Sequence, residues 1–337
     1  MPTLTRRRFS SALLASIGLA AMNSPRPARA RSRTIVIGGG PAGATAAHTL
    51  RRHKPAVDIL LIERDPARLS SRREQAAPFS RPRTELDLED LRAAHIDVVL
   101  DDVVDVDWRA GRLELFSGRA LAFDRLLVAP GTAAVPEPIP GLDAAARHRW
   151  PAAWGNTRDA RRLAAQLSAL PEDGHVVLRV PSGPLSHPDA VLARIGALAG
   201  HTALRPGGRL TVLNGSSDPD LAQRFSRTRP MRTTTDHIAW FGASEGGTVH
   251  RIDASRGIIE TNAGPVYADV VNFIVPRAAG RIAHIAGLTD HTGWCPCDPG
   301  SRSTLRPEAI VIGDAQKNAM RTVRSVSAVA KASVARG

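Results

Sequence analysis

Residues 34–43, which read TIVIGGGPAG, constrain this chain more tightly than any other stretch. A β-branched run ends in Gly38-x-Gly40-x-x-Gly43, and residues 44–50 continue as a helix of small side chains. Each glycine answers a steric demand. Gly38 lets the chain turn, Gly40 lets backbone approach a pyrophosphate, and Gly43 lets the helix pack closely on the strand. The helix start offers N–H groups and the positive end of its dipole to phosphate oxygens. A second strand, residues 58–62, ends at Glu63, the position from which a carboxylate hydrogen-bonds ribose hydroxyls. This order predicts a dinucleotide-binding unit, with Gly38, Gly40, Pro41, Ala42, Gly43, Glu63 and Arg64 against the ligand.

The chain has 337 residues, enough for two domains with separate cores. Its net charge of +13 resembles a nucleic-acid signal, but five of the 45 basic residues and none of the 32 acidic ones precede position 31. Without that segment, 40 basic residues stand against 32 acidic ones, a net +8. The basic residues are nearly all arginine and are scattered along the chain, so a nucleic-acid partner is not expected. A basic face that docks an acidic partner stays open.

Thr5-Arg6-Arg7-Arg8-Phe9, an apolar run over residues 11–22 and Ala28-Arg29-Ala30 follow the order of a twin-arginine signal segment with a small-residue cleavage site. Residues 1–30 are therefore expected to direct the folded chain to the periplasm. The apolar run is too short for a permanent membrane span, and no later segment is apolar enough to form one.

Residues 64–84, rich in arginine and broken by Pro66, Pro78 and Pro82, read as a long loop. Next come a helix over 86–94, a strand over 96–100, a meander over 103–106 and 112–116 turning at Ala110-Gly111, and a buried strand over 123–132. Proline-rich residues 135–142 read as a crossover. A second αβ unit starts near Asn156, with a helix over 158–170, strands over 175–180 and 209–213, and a helix over 190–198 between them. Residues 181–188 carry one glycine and three prolines, which disfavours a second, nicotinamide-bearing dinucleotide. A hairpin over 248–252 and 257–261 precedes a strand over 266–275; a final strand over 308–315 and a small-residue helix over 322–335 close the chain. The expected division is a first nucleotide domain from residues 31–145 and 266–337, with a second Rossmann-like domain over 146–265.

The glycine turn, the segment containing Ala129 and Gly131, and the terminal Gly313-Asp314 box occur in the order used by two-dinucleotide-domain flavoproteins. This resemblance implies an α/β fold of the glutathione-reductase type, with Asp314 on the ribityl or pyrophosphate region of FAD. A helix N-cap is the competing role for Asp314. The chain further resembles the flavoprotein subunit of flavocytochrome c sulfide dehydrogenase, which is related to sulfide:quinone oxidoreductases. The likeness is tightest over residues 271–289 (VNFIVPRAAGRIAHIAGLT), Gly293-Trp294-Cys295-Pro296 and residues 311–315. It implies FAD, a periplasmic location, a sulfur substrate and a c-type cytochrome subunit as partner.

The departures fall on the chemistry. The positions matching the family's redox disulfide are His187 and Gln316, neither of which forms a persulfide. Residues 64–84 lack the cysteine that tethers the family's flavin, so FAD is expected to be held non-covalently. The family's C-terminal extension, part of its interface domain, has no counterpart before Gly337. Two cysteines are present, Cys295 and Cys297. They read as buried structural thiols, as a relocated and strained redox pair, or with His291 and Asp298 as a metal set whose spacing fits no usual zinc pattern; no metal is expected. His187 reads either as a turn residue beside a proline or as a proton-handling group above the flavin. Cys295, Cys297 and His187 are thus the catalytic candidates. The readings that stay open are a sulfide dehydrogenase-type enzyme, a catalytically degenerate relative acting by partner docking, and a pyridine-nucleotide-dependent reductase.

Overall fold

A computed structural model describes residues 32–69, 79, 86–155, 157–228, 236–319 and 321. The twin-arginine segment, most of the 64–84 loop and the helix expected over 322–335 lie outside the described residues.

The first unit opens with β1 (Arg33–Ile37), α1 (Pro41–His53) and β2 (Asp58–Glu63). α2 (Leu88–Ala93) is nucleated by a reciprocal capping box between Asp87 and Asp90, and leads into β3 (Asp97–Leu100). A meander of β4 (Val103–Asp107), β5 (Arg112–Leu115) and β6 (Ala120–Ala122) precedes β7 (Arg125–Val128) and the short β8 (Thr132–Ala134). α3 (Ala144–Arg149) follows the proline-rich crossover.

The second unit runs through α4 (Thr157–Ser168), β9 (His175–Gly183), α5 (Pro188–Ala203), β10 (Arg209–Ser216), α6 (Leu221–Thr228) and β11 (Ile238–Phe241). Then come β12 (Val249–Asp253), β13 (Ile258–Thr261), β14 (Gly264–Tyr267) and β15 (Val270–Phe273). The chain returns through β16 (Arg277–Ala279), α7 (Arg281–Ile285) and β17 (Ala309–Val311).

Two parallel sheets organise these elements. In the first the order is β17-β7-β1-β2-β3. Its central strands are nearly continuous apolar runs because both faces are covered. Val36, Ile59, Leu61 and Leu127 pack under α1 and α2, where the alanines of α1 allow close approach. Ile35, Leu60, Ile62 and Val128 face the other way, onto the meander and α7. Burial of each such side chain contributes roughly 1.5–3 kcal/mol. The second sheet has the order β11-β10-β9-β15. Val176, Leu178 and Val180 meet α4 and α5, whereas Val177, Val271 and Phe273 meet α3 and the antiparallel β12-β13-β14 sheet. Both sheets are α/β in the sense expected.

Several boundaries differ from the sequence expectation. The single strand expected over 266–275 is two: β14 pairs antiparallel with β13, and β15 pairs in parallel with β9. β15 therefore lies in the second sheet, and the first strand to pair back to the N-terminal portion is β16, antiparallel to β8. β9 extends past Pro181 to Gly183. There β15 no longer pairs with it, since its last partner is Arg179, and the β10 ladder carries an irregularity between Asn214 and Ser216. A residue without an N–H is tolerated at such a place. α5 is longer than its expected core of 190–198, with Pro188 in its first turn, where the missing N–H does no harm. β6, α6, α7 and β11 were not legible as elements.

Candidate active-site crevice

In the first sheet β1 lies between β2 and β7, so the chain leaves it in both directions and opens a gap beyond its C-terminal end. A crevice of about 600 Å³ begins there and continues to the turn and helix that follow β9.

The glycine turn forms the floor. Gly38 has φ +102°, and a Cβ on it would meet the Ala129 carbonyl oxygen at 2.3 Å. A Cβ on Gly43 would meet the Gly38 carbonyl oxygen at 1.8 Å. Both are glycine because strand, turn and helix touch there. Gly40 differs: within 4 Å, a Cβ would meet only Arg68 Nη1, at 3.6 Å. Its lack of a side chain leaves open space, the form a backbone takes where a ligand comes close. The first turn of α1 has Pro41 at its start, no side-chain cap and no acidic residue. It presents its amides to an anion without competition.

Glu63, at the end of β2, is buried. Its Oε2 accepts a hydrogen bond from Gly39 N at 2.6 Å, and its Oε1 accepts one from Asp65 N at 2.8 Å. The two amides hold the carboxylate beside the glycine turn and leave acceptor capacity on both oxygens for hydroxyl groups. Arg64, Ala129 and Gly131 line the same crevice, as do Gly313 and Asp314 beyond β17. All eleven residues that the sequence assigns to a dinucleotide therefore face one cavity. The cradle fits a dinucleotide: open backbone for the phosphates at Gly40 and a fixed acid for the ribose at Glu63.

His187 also lines the crevice and is buried. It is the N-cap residue of α5, but its side chain makes no cap bond to the helix. Instead its Nδ1 shares a 2.8 Å hydrogen bond with Ser186 Oγ, and its Nε2 lies 3.6 Å from Asp314 Oδ2. The indole of Trp154 meets the ring edge-on at 5.9 Å. Arg321 joins the two walls. It donates from Nε to the Asp314 carbonyl and from Nη1 to the Ser186 carbonyl, and lies 3.9 Å over the Trp294 ring.

The cysteines lie elsewhere. Cys295 is buried and packs in the meander-side core of the first sheet. Its N–H donates to the Ala315 carbonyl, and its carbonyl accepts from Lys317 N. Both thiols are free, and neither lines the crevice. Burial pushes both thiols up to about 12, with nearby Asp290 and Cys297 adding to the shift at Cys295 and Asp298 at Cys297. Such thiols are poor nucleophiles at neutral pH. Gln316, the other position expected to match the family disulfide, donates from Nε2 to the Val311 carbonyl at 2.7 Å. Among the described residues, His291, Cys295, Cys297 and Asp298 form no group able to hold a metal ion.

Sequence reasoning missed three contributors to the far wall: Phe79, Trp154 and Arg194. Arg194 was the detectable one, as a single cation inside an otherwise apolar helical stretch.

Parallel sheets with a glycine turn at a strand switch point and a Gly-Asp box at the closing strand define a nucleotide-binding α/β protein of the oxidoreductase type. Residues 32–169 match the family model of the pyridine nucleotide-disulphide oxidoreductases. Among solved structures, the chain resembles the putidaredoxin reductase of a covalent putidaredoxin reductase–putidaredoxin complex, with 16% identity, TM-score 0.67, and coverage of 91% of this chain and 75% of that one. It resembles the sulfide:quinone oxidoreductase of the hyperthermophilic bacterium Aquifex aeolicus, with 16% identity, TM-score 0.63, and coverage of 90% and 76%. It also resembles the reduced CoADR-RHD of Bacillus anthracis, with 16% identity, TM-score 0.64, and coverage of 91% of this chain but 57% of that one. At these identities the likeness is one of fold. No helix among the described residues is long and apolar enough to cross a membrane.

Proposed function

We propose that this chain is an exported, periplasmic flavoprotein that holds FAD non-covalently and acts as an oxidoreductase of the sulfide dehydrogenase type. Electrons would come from a small sulfur compound and leave to a c-type cytochrome subunit. The observation that carries the reading is the convergence of Gly40, Glu63 and Asp314 on one crevice whose far wall bears His187. The solved neighbours that act on sulfide or dock an electron-carrier protein agree with both ends of the path.

FAD, when bound, supplies the two-electron redox chemistry. The protein binds and orients. The α1 N-terminus and the Gly40 backbone receive the pyrophosphate, Glu63 the ribose hydroxyls, and Asp314 the ribityl region. His187 holds or releases a proton at Nε2, with Ser186 fixing its ring from the other nitrogen. The family's thiol relay has no equivalent here, so the donor would deliver electrons without an enzyme-bound sulfur adduct.

A second reading, a degenerate relative that binds flavin and docks a partner, is favoured by one observation: His187 and Gln316 stand where the sulfur pair is expected. Anaerobic titration with sulfide separates the two. Bleaching of the flavin band, restored by oxidised cytochrome c, supports the enzyme. A flavin band unchanged by excess sulfide supports the docking protein.

A further inference from the structure

The crevice wall contributed by α5 carries a carboxylate at its first turn, Asp189, which pairs with Arg224 at 3.3 Å, and beyond it is apolar apart from one charge. Ala190, Ala193, Arg194 and Ala197 recur at helical spacing and line it together. Arg194 is only 7% exposed. Its guanidinium lies 5.0 Å from the Phe79 ring centroid and 5.6 Å from that of Trp154.

Its hydrogen-bond partners are all neutral. Nη1 donates to Asn272 Oδ1 at 2.8 Å and to the Ala152 carbonyl at 3.3 Å; Nη2 donates to the Ala153 carbonyl at 2.7 Å and to the Phe79 carbonyl at 2.9 Å. Asn272 is itself fixed by donating to the Pro151 and Ala152 carbonyls. These contacts use the four terminal N–H groups. The fifth, on Nε, has no acceptor among the described residues, and no carboxylate there pairs with this side chain.

A second buried arginine, Arg179, and the half-buried Arg321 show how the fold treats such a charge elsewhere. Arg179 makes a two-pronged pair with Glu137 at 2.6 and 2.7 Å. Arg321 feels the Asp314 charge and has an acceptor for its Nε. Arg194 has neither. Burial pulls it down to about 10, so it stays charged at neutral pH. A buried cation without a counter-charge is disfavoured, and an anion entering beside it removes that penalty in surroundings where charges interact strongly.

We propose that Arg194 is the anion-recognition point of the crevice, and that the space along Ala190, Ala193 and Ala197 takes a small anionic substrate such as a sulfur anion. This deepens the proposed function, since it gives the electron donor a charge and a seat. Arg194 binds by charge and by its remaining Nε–H, and the small side chains of the helix face leave room for the anion beside it.

Isothermal titration of the purified full-length protein with sodium thiosulfate, at constant ionic strength, tests this. Wild type is expected to bind one thiosulfate, and not the neutral dimethyl sulfone. Arg194→Met is expected to weaken binding by about tenfold or more, because a charge-assisted contact is lost, and Arg194→Lys to weaken it less. Equal binding by wild type and a folded Arg194→Met, or no binding by wild type, overturns the proposal and leaves Arg194 as a clamp on the segment between α3 and α4. Should Arg194→Met not fold, Ala193→Leu takes its place: it fills the exposed helix face without touching the charge. Loss of thiosulfate binding in that variant supports the site, and unchanged binding refutes it. Flavin content is read separately by absorbance. A protein that binds thiosulfate through Arg194 yet carries no flavin supports this assignment while contradicting the FAD reading.

Discussion

His187 Nε2 stands 3.6 Å from Asp314 Oδ2, so the turn after the second sheet's β9 and the acid box of the first sheet meet inside one crevice. The Ser186 hydroxyl holds the imidazole at Nδ1 and leaves Nε2 facing the Asp314 carboxylate.

Replacement of His187 by Gln keeps a polar side chain beside Asp314 but removes the imidazole. Flavin content should be unchanged, while the rate of flavin reduction by donor should fall by about a hundredfold, the scale for losing a positioned proton-transfer group. Stopped-flow reduction of wild type and variant is the check. Equal rates assign His187 to the turn alone.

Gly43→Ala places a methyl group 1.8 Å from the Gly38 carbonyl oxygen. Helix α1 must then move off β1, at a cost of about 1–3 kcal/mol and with the phosphate cradle opened. The purified variant should retain little or no flavin and melt at lower temperature. By contrast, Gly40→Ala adds its methyl in open space, with its nearest neighbour at 3.6 Å. It should fold as wild type and still bind flavin less tightly.

Gly38 and Gly43 were legible in the sequence because local backbone geometry admits little else there, and Gly40 by its fixed spacing between them. Glu63 and Asp314 were legible for a similar reason: each follows a short buried strand at a fixed offset. What escaped was decided by pairing between distant segments. Nothing in residues 266–275 alone says that the chain breaks into β14 and β15; that split follows from which neighbour each half finds. The meeting of His187 with Asp314 depends on two sheets being docked, and the carbonyl cage of Arg194 gathers acceptors from the segment between α3 and α4, from β15 and from Phe79. The cysteines were legible as residues but not as placements, since two residues between a bridge to Gln316 and one to Ser303 can point into either a core or a cleft.

The Arg179–Glu137 pair locks the proline-rich crossover to β9. Arg179 also donates to the Ile274 carbonyl, and its guanidinium lies 4.8 Å from the Phe273 ring centroid. Glu137→Gln leaves this buried cation without its anion, and should destabilise the fold by about 3–5 kcal/mol. Thermal unfolding followed by circular dichroism measures the loss; a melting temperature within a degree of wild type would show that the pair contributes nothing.

Cys295 and Cys297 should behave as inert thiols. With both pushed up to about 12 from an ordinary 9.0, the thiolate fraction at pH 8 falls by roughly a thousandfold. Reaction of the native protein with a disulfide reagent should slow accordingly, and unfolding should restore it. The folded state holds these protons more tightly than the unfolded one. Their contribution to stability is therefore full below pH 9 and declines as pH rises towards 12. Replacing both by Ala should leave donor reduction of the flavin unchanged, whereas loss of reduction would return the redox role to sulfur.

The central claim is that Gly40, Glu63 and Asp314 grip a single flavin dinucleotide. The direct measurement is to purify the protein, denature it, separate the chain, and quantify the flavin released into solution. The account predicts close to one FAD per chain, all of it freed without proteolysis because no covalent tether holds it. A colourless protein that takes up no FAD on reconstitution, though folded, would contradict the account.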